Sequence, residues 1–401
     1  MRDVWRQTWA EINLEDLVHN VRLLKGRLLP NVLFMATVKA DAYGHGASTV
    51  AQAVLQAGAD RLGVATYEEG AQLRMSGIET DILVYGALFE AAAEAAVKYR
   101  LTATVGSIQD LIFLEKKAKE YKNRVTVHVK IDTGMTRLGV RTLPAALELL
   151  QRAAESPWLT LEGLFTHFAS ADEELLQEKS GIQPRLVEND PTRSLPFVEQ
   201  QRLRFEEIAS AAQQQGIHVP ILHAANSAAA LRDPRYQYNM VRYGIAMYGY
   251  SPIPMEDSSF RLRPVLSLRS RITRLAVIEP GEAVSYGRTY VATRREVIAT
   301  VPIGYADGIP RALSNVGKVK IHGQCAPIVG RVCMDQLMIN VTDLSVKVGD
   351  VVTFYGESEG CGSLAQVAAQ LDTIPYELLC RVSARVPRII TYVKNLEETC
   401  H

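Results

Sequence analysis

Long apolar runs are missing from this chain: no stretch approaches the roughly 18 consecutive apolar residues needed to span a bilayer. The opening Met1-Arg2-Asp3-Val4-Trp5-Arg6-Gln7-Thr8-Trp9 lacks the apolar core of a signal peptide. The two absences together point to a cytoplasmic protein without a membrane partner. Charge of a single sign is missing as well. Lys and Arg number 44, Asp and Glu number 44, and the signs are mixed without a long block. That balance gives no reason to expect nucleic acid as a partner. Cysteine is scarce, and Cys325, Cys333, Cys361, Cys380 and Cys400 all fall late, odd in number and without a C-x-x-C pair. Neither a disulfide framework nor a zinc site is indicated; the expectation is buried or idle thiols in a reducing compartment. His45, His128, His218, His223 and His322 show no metal-ligand spacing, so no metal is expected.

What is present is an alternation. Short β-rich runs at 32–39, 62–65, 82–85, 102–105, 125–131, 160–166, 220–224 and 240–244 are separated by helical patterns at 47–57, 67–75, 88–98, 107–120, 144–154 and 197–215. Several of the strands are apolar throughout, as parallel strands covered on both faces must be. The predicted fold class is therefore α/β, an N-terminal (β/α)8 TIM-type barrel over 1–250. A doubly wound open sheet is the rival, but no G-x-G-x-x-G turn follows the first strand. After Tyr250 the texture changes: Ser251-Pro252-Ile253-Pro254 and Arg263-Pro264 mark a connection. Strand-like runs at 265–278, 296–303, 317–322, 326–332, 337–342 and 350–355 then predict a mostly β C-terminal domain over 251–401, closed by helical stretches near 363–371 and 375–384. The segment 171–196 has no period and reads as a long exposed loop.

In such a barrel, active sites gather at the carboxyl ends of the strands. Lys39 finishes the first strand in Val38-Lys39-Ala40-Asp41-Ala42-Tyr43-Gly44-His45-Gly46. Its ammonium must enter the barrel mouth or join a salt bridge. A partly desolvated lysine loses basicity and can form Schiff bases. Barrels often hold phosphate after strands seven and eight, where Asn226-Ser227 and Gly244-Ile245 stand. A serine hydroxyl donates to phosphate oxygens and glycine allows close backbone approach, although Ser227 as a helix cap and Gly244 as a turn residue are equally physical readings. Arg242 ends the eighth strand and is either an ion-pair partner or a ligand at the mouth. Tyr286 by itself reads as an aromatic packed at a turn of the β domain.

The nine residues around Lys39 closely resemble the cofactor-lysine signature of the alanine racemases, enzymes that use pyridoxal 5'-phosphate. Further blocks resemble that family in its order: Lys130 to Gly139, Thr166-His167-Phe168, Ala225-Asn226-Ser227, Val241 to Ile245, Val284-Ser285-Tyr286-Gly287, Gly304 to Gly308, Cys333-Met334-Asp335 and Pro375-Tyr376-Glu377. The resemblance implies an isomerase that interconverts L-alanine and D-alanine for cell-wall peptidoglycan by a two-base mechanism. Lys39 and Tyr286 are then the opposed bases. Ser227, Gly244, Ile245, Tyr43 and Tyr376 hold the cofactor's phosphate, and Arg242 faces its pyridine nitrogen. A donor-only arginine leaves that nitrogen unprotonated and makes a weaker electron sink, which suits racemisation. As a base Tyr286 needs positive charge nearby, which His167 and Arg242 would supply. Arg137 would bind the substrate carboxylate, while Met334 and Tyr305 would narrow the pocket around its side chain. Lys130 matches a lysine carbamylated in some members; without that anion, Arg137 needs another beside it. The resemblance also implies a homodimer with shared active sites. The loop 171–196 departs from the family by roughly twenty extra residues, a length out of scale with the usual 2–6 residue connection.

Two other enzyme readings and one non-enzyme remain. A racemase of broader range including serine fits the same residues. A barrel-type amino-acid decarboxylase shares the architecture but calls for a glycine-rich phosphate loop and a carboxylate at the pyridine nitrogen. A cofactor-carrying regulatory barrel would lack the second domain that carries Tyr286.

Overall fold

The computed structural model describes residues 6–172, 195–255, 257, 259–356 and 360–391. Eight parallel strands form its first sheet: Leu33–Thr37, Arg61–Val64, Ile82–Val84, Thr102–Val105, Val125–Lys130, Leu159–Phe165, Ile221–His223 and Met240–Tyr243. The first seven pair in sequence order, and the eighth returns to the first with Leu33 opposite Met240. The seventh and eighth share no ladder. The gap is crossed by Asn239 N–H donating to the Leu222 carbonyl at 3.0 Å and Arg242 N–H to that of Ala225 at 3.1 Å. All eight runs read from the sequence are strands of this barrel. The apolar runs are buried because helices cover them outside and side chains fill the middle.

Some of the helices start where the chain supplies a side-chain cap. Ser107 Oγ accepts from Asp110 N–H to open Ile108–Tyr121, and Thr66 with Glu69 forms a reciprocal capping box on Tyr67–Met75. The helix Leu14–Lys25, which buries Leu14, Leu17, Val21 and Leu24 and is capped by Asn13, is not among the helical patterns of the sequence. It occupies the stretch before the first strand, where no βα alternation announced it.

The second sheet has nine strands. Most of it comes from the C-terminal part, including Leu266–Arg271, Glu296–Val301, Gln324–Val329, Leu337–Asn340 and Val351–Tyr355. Thr8–Asn13 belongs to it too, antiparallel to Leu266–Arg271 and parallel to Arg388–Thr391. The barrel range drawn from residue 1 therefore contains a strand of the other sheet. Thr8, Ala10 and Ile12 alternate inward along it, and this period of two was the legible sign. The loop expected at 171–196 lies, for 173–194, outside the described residues.

The expectation of idle thiols is corrected at one pair. Cys325 and Cys361 form a disulfide that ties the strand Gln324–Val329 to the segment entering helix Leu364–Gln370. A separation of 36 residues carries no spacing signal, and only the topology brings the two together. Cys333 and Cys380 are free thiols. Among the described residues, no helix is long and apolar enough to cross a membrane.

Candidate active site

At the carboxyl ends of the barrel strands lies a cavity of about 340 Å³. Lys39, Tyr43, Lys130, Arg137, His167, Ser227, Arg242, Gly244 and Ile245 line it from the barrel, and Tyr376 joins them from helix Pro375–Arg381. Tyr286, Tyr305 and Met334 do not line it. They stand on the second domain, 72%, 42% and 52% exposed. Thr37, Tyr85 and Phe165 also line the cavity and were not singled out in the sequence. Thr37 and Phe165 end the first and sixth strands, and Tyr85 follows the third, so the strand-end rule that picked Lys39 would have found them.

Lys39 opens an unusual turn. Ala40, Asp41, Ala42 and Tyr43 all have φ between 52° and 54°, a left-handed helical turn built without glycine. Each such residue costs about 1–2 kcal/mol. The turn is held from several sides. Ala40 N–H donates to Glu69 Oε1 at 2.6 Å, and Ala47 N–H to Asp41 Oδ1 at 2.7 Å. Arg388 Nε donates to the Gly44 carbonyl at 2.9 Å, and the Tyr43 ring packs 4.8 Å from Tyr248 and 6.0 Å from Tyr376. The second domain thus braces the turn that aims Lys39.

Four basic side chains, Lys39, Lys130, Arg137 and Arg242, share the lining, and among the described residues no carboxylate does. Burial, then the charge of Arg137, lowers the pKa of Lys39. Lys130 is lowered further, by burial first and then by Arg242 and Arg137; its Nζ sits 4.4 Å over the Phe165 ring. Burial brings Arg242 down to about 10, which leaves it charged at neutral pH. Its Nη2 donates to the carbonyls of Thr166 at 2.8 Å and Ala224 at 2.7 Å, and its Nη1 lies 2.7 Å from His223 Nδ1. His167, expected to supply positive charge, is instead held neutral: burial, then Arg242 and Lys130, keep its pKa well below the usual range. Arg242 alone of that pair carries charge.

The other side of the cavity is a cradle of donors. Gly244 N–H donates to Ser227 Oγ at 2.9 Å, and an added Cβ at Gly244 would stand 2.6 Å from Tyr43 Oη. Burial raises the Tyr43 phenol above its ordinary pKa and takes that of Tyr376 to about 12, so both stay protonated donors. Neither hydroxyl bonds to another described residue. A space lined by basic side chains, neutral phenols and a serine, with no acid among the described residues, fits a multiply charged anion such as a phosphate ester with a carboxylate beside it. Asp132 shapes the approach from below: its Oδ1 accepts from Gly134 N–H at 3.0 Å and Thr136 N–H at 2.9 Å, folding the turn that presents Arg137.

Comparisons with known proteins agree over nearly the whole length. The family model described as alanine racemase, N-terminal domain, matches residues 12–252, and that of the C-terminal domain matches 265–390. An alanine racemase of Halothermothrix orenii is 41% identical over 388 residues, 96% of this chain and 97% of the relative. The solved alanine racemase of Clostridium difficile 630 superposes with a TM-score of 0.86 at 37% identity, covering 97% of each chain. That of Bacillus anthracis, solved with bound L-Ala-P, gives 0.85 at 36% identity over 97% of this chain and 96% of its own.

Proposed function

The chain belongs to the alanine racemase family, and on that premise we propose that it interconverts L-alanine and D-alanine with Lys39 and Tyr286 as opposed bases. Pyridoxal phosphate is the cofactor of this reading. The observation that carries it is the cavity itself, three further basic side chains and, among the described residues, no carboxylate around a lysine of lowered basicity. When bound, the cofactor supplies an electron sink that makes the α-hydrogen of an amino acid acidic.

The residues divide the remaining work. Tyr43, Tyr376, Ser227, Gly244 and Ile245 would hold the phosphate through hydroxyl and backbone donors. Arg242, with donors only, would face the pyridine nitrogen and keep it unprotonated. Arg137 would grip the substrate carboxylate. Lys39 Nζ, in its neutral form, takes or returns the proton at the α-carbon on one face. Tyr286 Oη would do so on the other. Lys130 is buried, with Arg242 and Arg137 lowering its basicity more than Asp132 restores it, and an amine in its neutral form can take up carbon dioxide with loss of a proton; the carbamate would then offset the charge of Arg137 and Arg242.

Tyr286, Tyr305 and Met334 are exposed and outside the cavity of their own chain. We therefore propose a homodimer in which Tyr286 of the partner subunit enters, with Met334 and Tyr305 narrowing the space around a small side chain. The same reading places the enzyme in the cytoplasm, with D-alanine supplied to peptidoglycan assembly. A decarboxylase is disfavoured because, among the described residues, no carboxylate lines the cavity to meet a pyridine nitrogen.

The test is spectroscopic and chemical. Purified protein given pyridoxal phosphate is expected to show the visible absorbance of a lysine-bound cofactor, which Lys39→Ala removes. L-alanine is expected to lose optical rotation without release of carbon dioxide. A colourless protein, or gas from L-alanine, L-serine or L-lysine, would overturn the reading.

A further inference from the structure

Barrel interiors are normally packed with branched apolar side chains. Here a polar column runs down the middle instead. Below Arg242, His223 Nε2 lies 2.8 Å from His128 Nδ1, and His128 Nε2 lies 2.9 Å from Glu162 Oε2. Glu162 in turn accepts two hydrogen bonds from Arg61, Nη1 to Oε2 at 2.6 Å and Nη2 to Oε1 at 2.8 Å. Arg61 also lies 3.4 Å from Asp81, which faces solvent. Both histidines are fully buried, and Gly163 leaves the room that His128 needs, because a Cβ there would overlap its ring. Desolvating this many polar groups is unfavourable unless each finds a partner.

The two ends of the column fix the direction of every bond in it. An arginine only donates, so His223 Nδ1 must accept from Arg242, and its proton sits on Nε2. That proton is donated to His128 Nδ1, which places the His128 proton on Nε2, pointing at Glu162. A carboxylate only accepts, and the chain closes. Burial would raise the Glu162 carboxyl, but the bonds from His128 and Arg61 outweigh it and bring it to about 2, so it is ionised at any ordinary pH. Burial holds both imidazoles neutral. Were Glu162 absent, His128 could carry its proton on Nδ1, and a donor would then face the donor of His223.

We propose that Glu162, at the far end of the barrel from the cavity, is a positioning residue that locks His128 and His223 in one tautomer and so orients Arg242. This rests on the reading of Arg242 as the group at the pyridine nitrogen. Arg61 serves Glu162 by holding both its oxygens, and the barrel transmits the arrangement through its core rather than through its loops.

The experiment uses the full chain with ¹⁵N-labelled histidine side chains, assigned by the signals lost in His128→Asn and His223→Asn. At neutral pH, with or without pyridoxal phosphate, both rings are expected to be neutral with the proton on Nε2. A proton on Nδ1 of either ring, or a doubly protonated ring, would overturn the proposal. Glu162→Gln keeps an acceptor for His128, so its ring signals and kcat are expected to stay within about threefold of the parent. Glu162→Leu is expected to lose the single-tautomer pattern and about tenfold in kcat with KM for alanine little changed, the factor one lost hydrogen bond to a charged group commands. Parental tautomers and kcat in Glu162→Leu would also overturn it. Failure to take up cofactor would end the reading of the site, while the ring signals of the cofactor-free chain would still decide this proposal.

Discussion

A methyl group added at Gly244 would stand 2.6 Å from Tyr43 Oη, well inside van der Waals contact. Gly244→Ala is therefore expected to displace the phenol and weaken pyridoxal phosphate by about tenfold or more, the loss of one hydrogen bond to a charged group. Titration of the visible absorbance checks this, and unchanged affinity would contradict it. Lys39, Arg242 and the Ser227 to Ile245 pair were legible because strand ends can be counted in the sequence and barrel sites lie at strand ends. The charge state of His167 was not. Its neutrality follows from burial among Arg242, Lys130 and Arg137, which only the folded barrel assembles. Glu162 was equally silent, since a glutamate within a strand reads as a solvated face until two histidines and Arg61 are seen around it.

At the scale of elements, the left-handed turn after Lys39 makes a prediction of unusual sign. In an ordinary helix, Ala→Gly costs about 1 kcal/mol. At Ala40, with φ of 52° and its side chain exposed, glycine relieves strain. The relief of about 1–2 kcal/mol exceeds the roughly 0.4–1 kcal/mol lost to the freer unfolded chain. Ala40→Gly should therefore raise the urea midpoint, whereas a fall would show that the turn is unstrained. Glu69, which both caps the helix Tyr67–Met75 and accepts from Ala40 N–H, carries the opposite expectation: Glu69→Ala should lower stability by about 1–2 kcal/mol, through the lost cap and a charged acceptor.

Acid titration reports on the barrel core. The Glu162 carboxyl lies near 2 in the fold against an ordinary 4.5, so its contribution is complete above the higher value and lost as pH falls through the lower. The stability gap between the parent and Glu162→Gln should accordingly be constant near neutrality, shrink as pH falls below about 4.5 and vanish near 2. A gap independent of pH would contradict the ionised carboxylate. The eight barrel strands and six of the covering helices could be read from the sequence, because several strands are apolar throughout and most of the helices are amphipathic. The strand Thr8–Asn13 shows the limit of that method: alternation reveals a strand, but not which sheet, nearly 260 residues away in sequence at Leu266, will take it in.

For the whole molecule, the decisive feature is the distance between function and chain. One chain gathers Lys39, Arg137 and Arg242 in a single cavity and leaves Tyr286 exposed elsewhere. A symmetric pair of chains, each lending its second domain to the other's barrel as proposed above, would resolve this without any movement within a chain. The most direct test is a heterodimer of Lys39→Ala and Tyr286→Phe chains, co-expressed with different tags and purified through both. Each parent homodimer is expected to be nearly inactive. If the site is shared, one of the two sites in the heterodimer keeps both bases, and L-alanine turnover should return to about half of the wild-type rate. A heterodimer no more active than its parents would place both bases in the same chain and contradict the account.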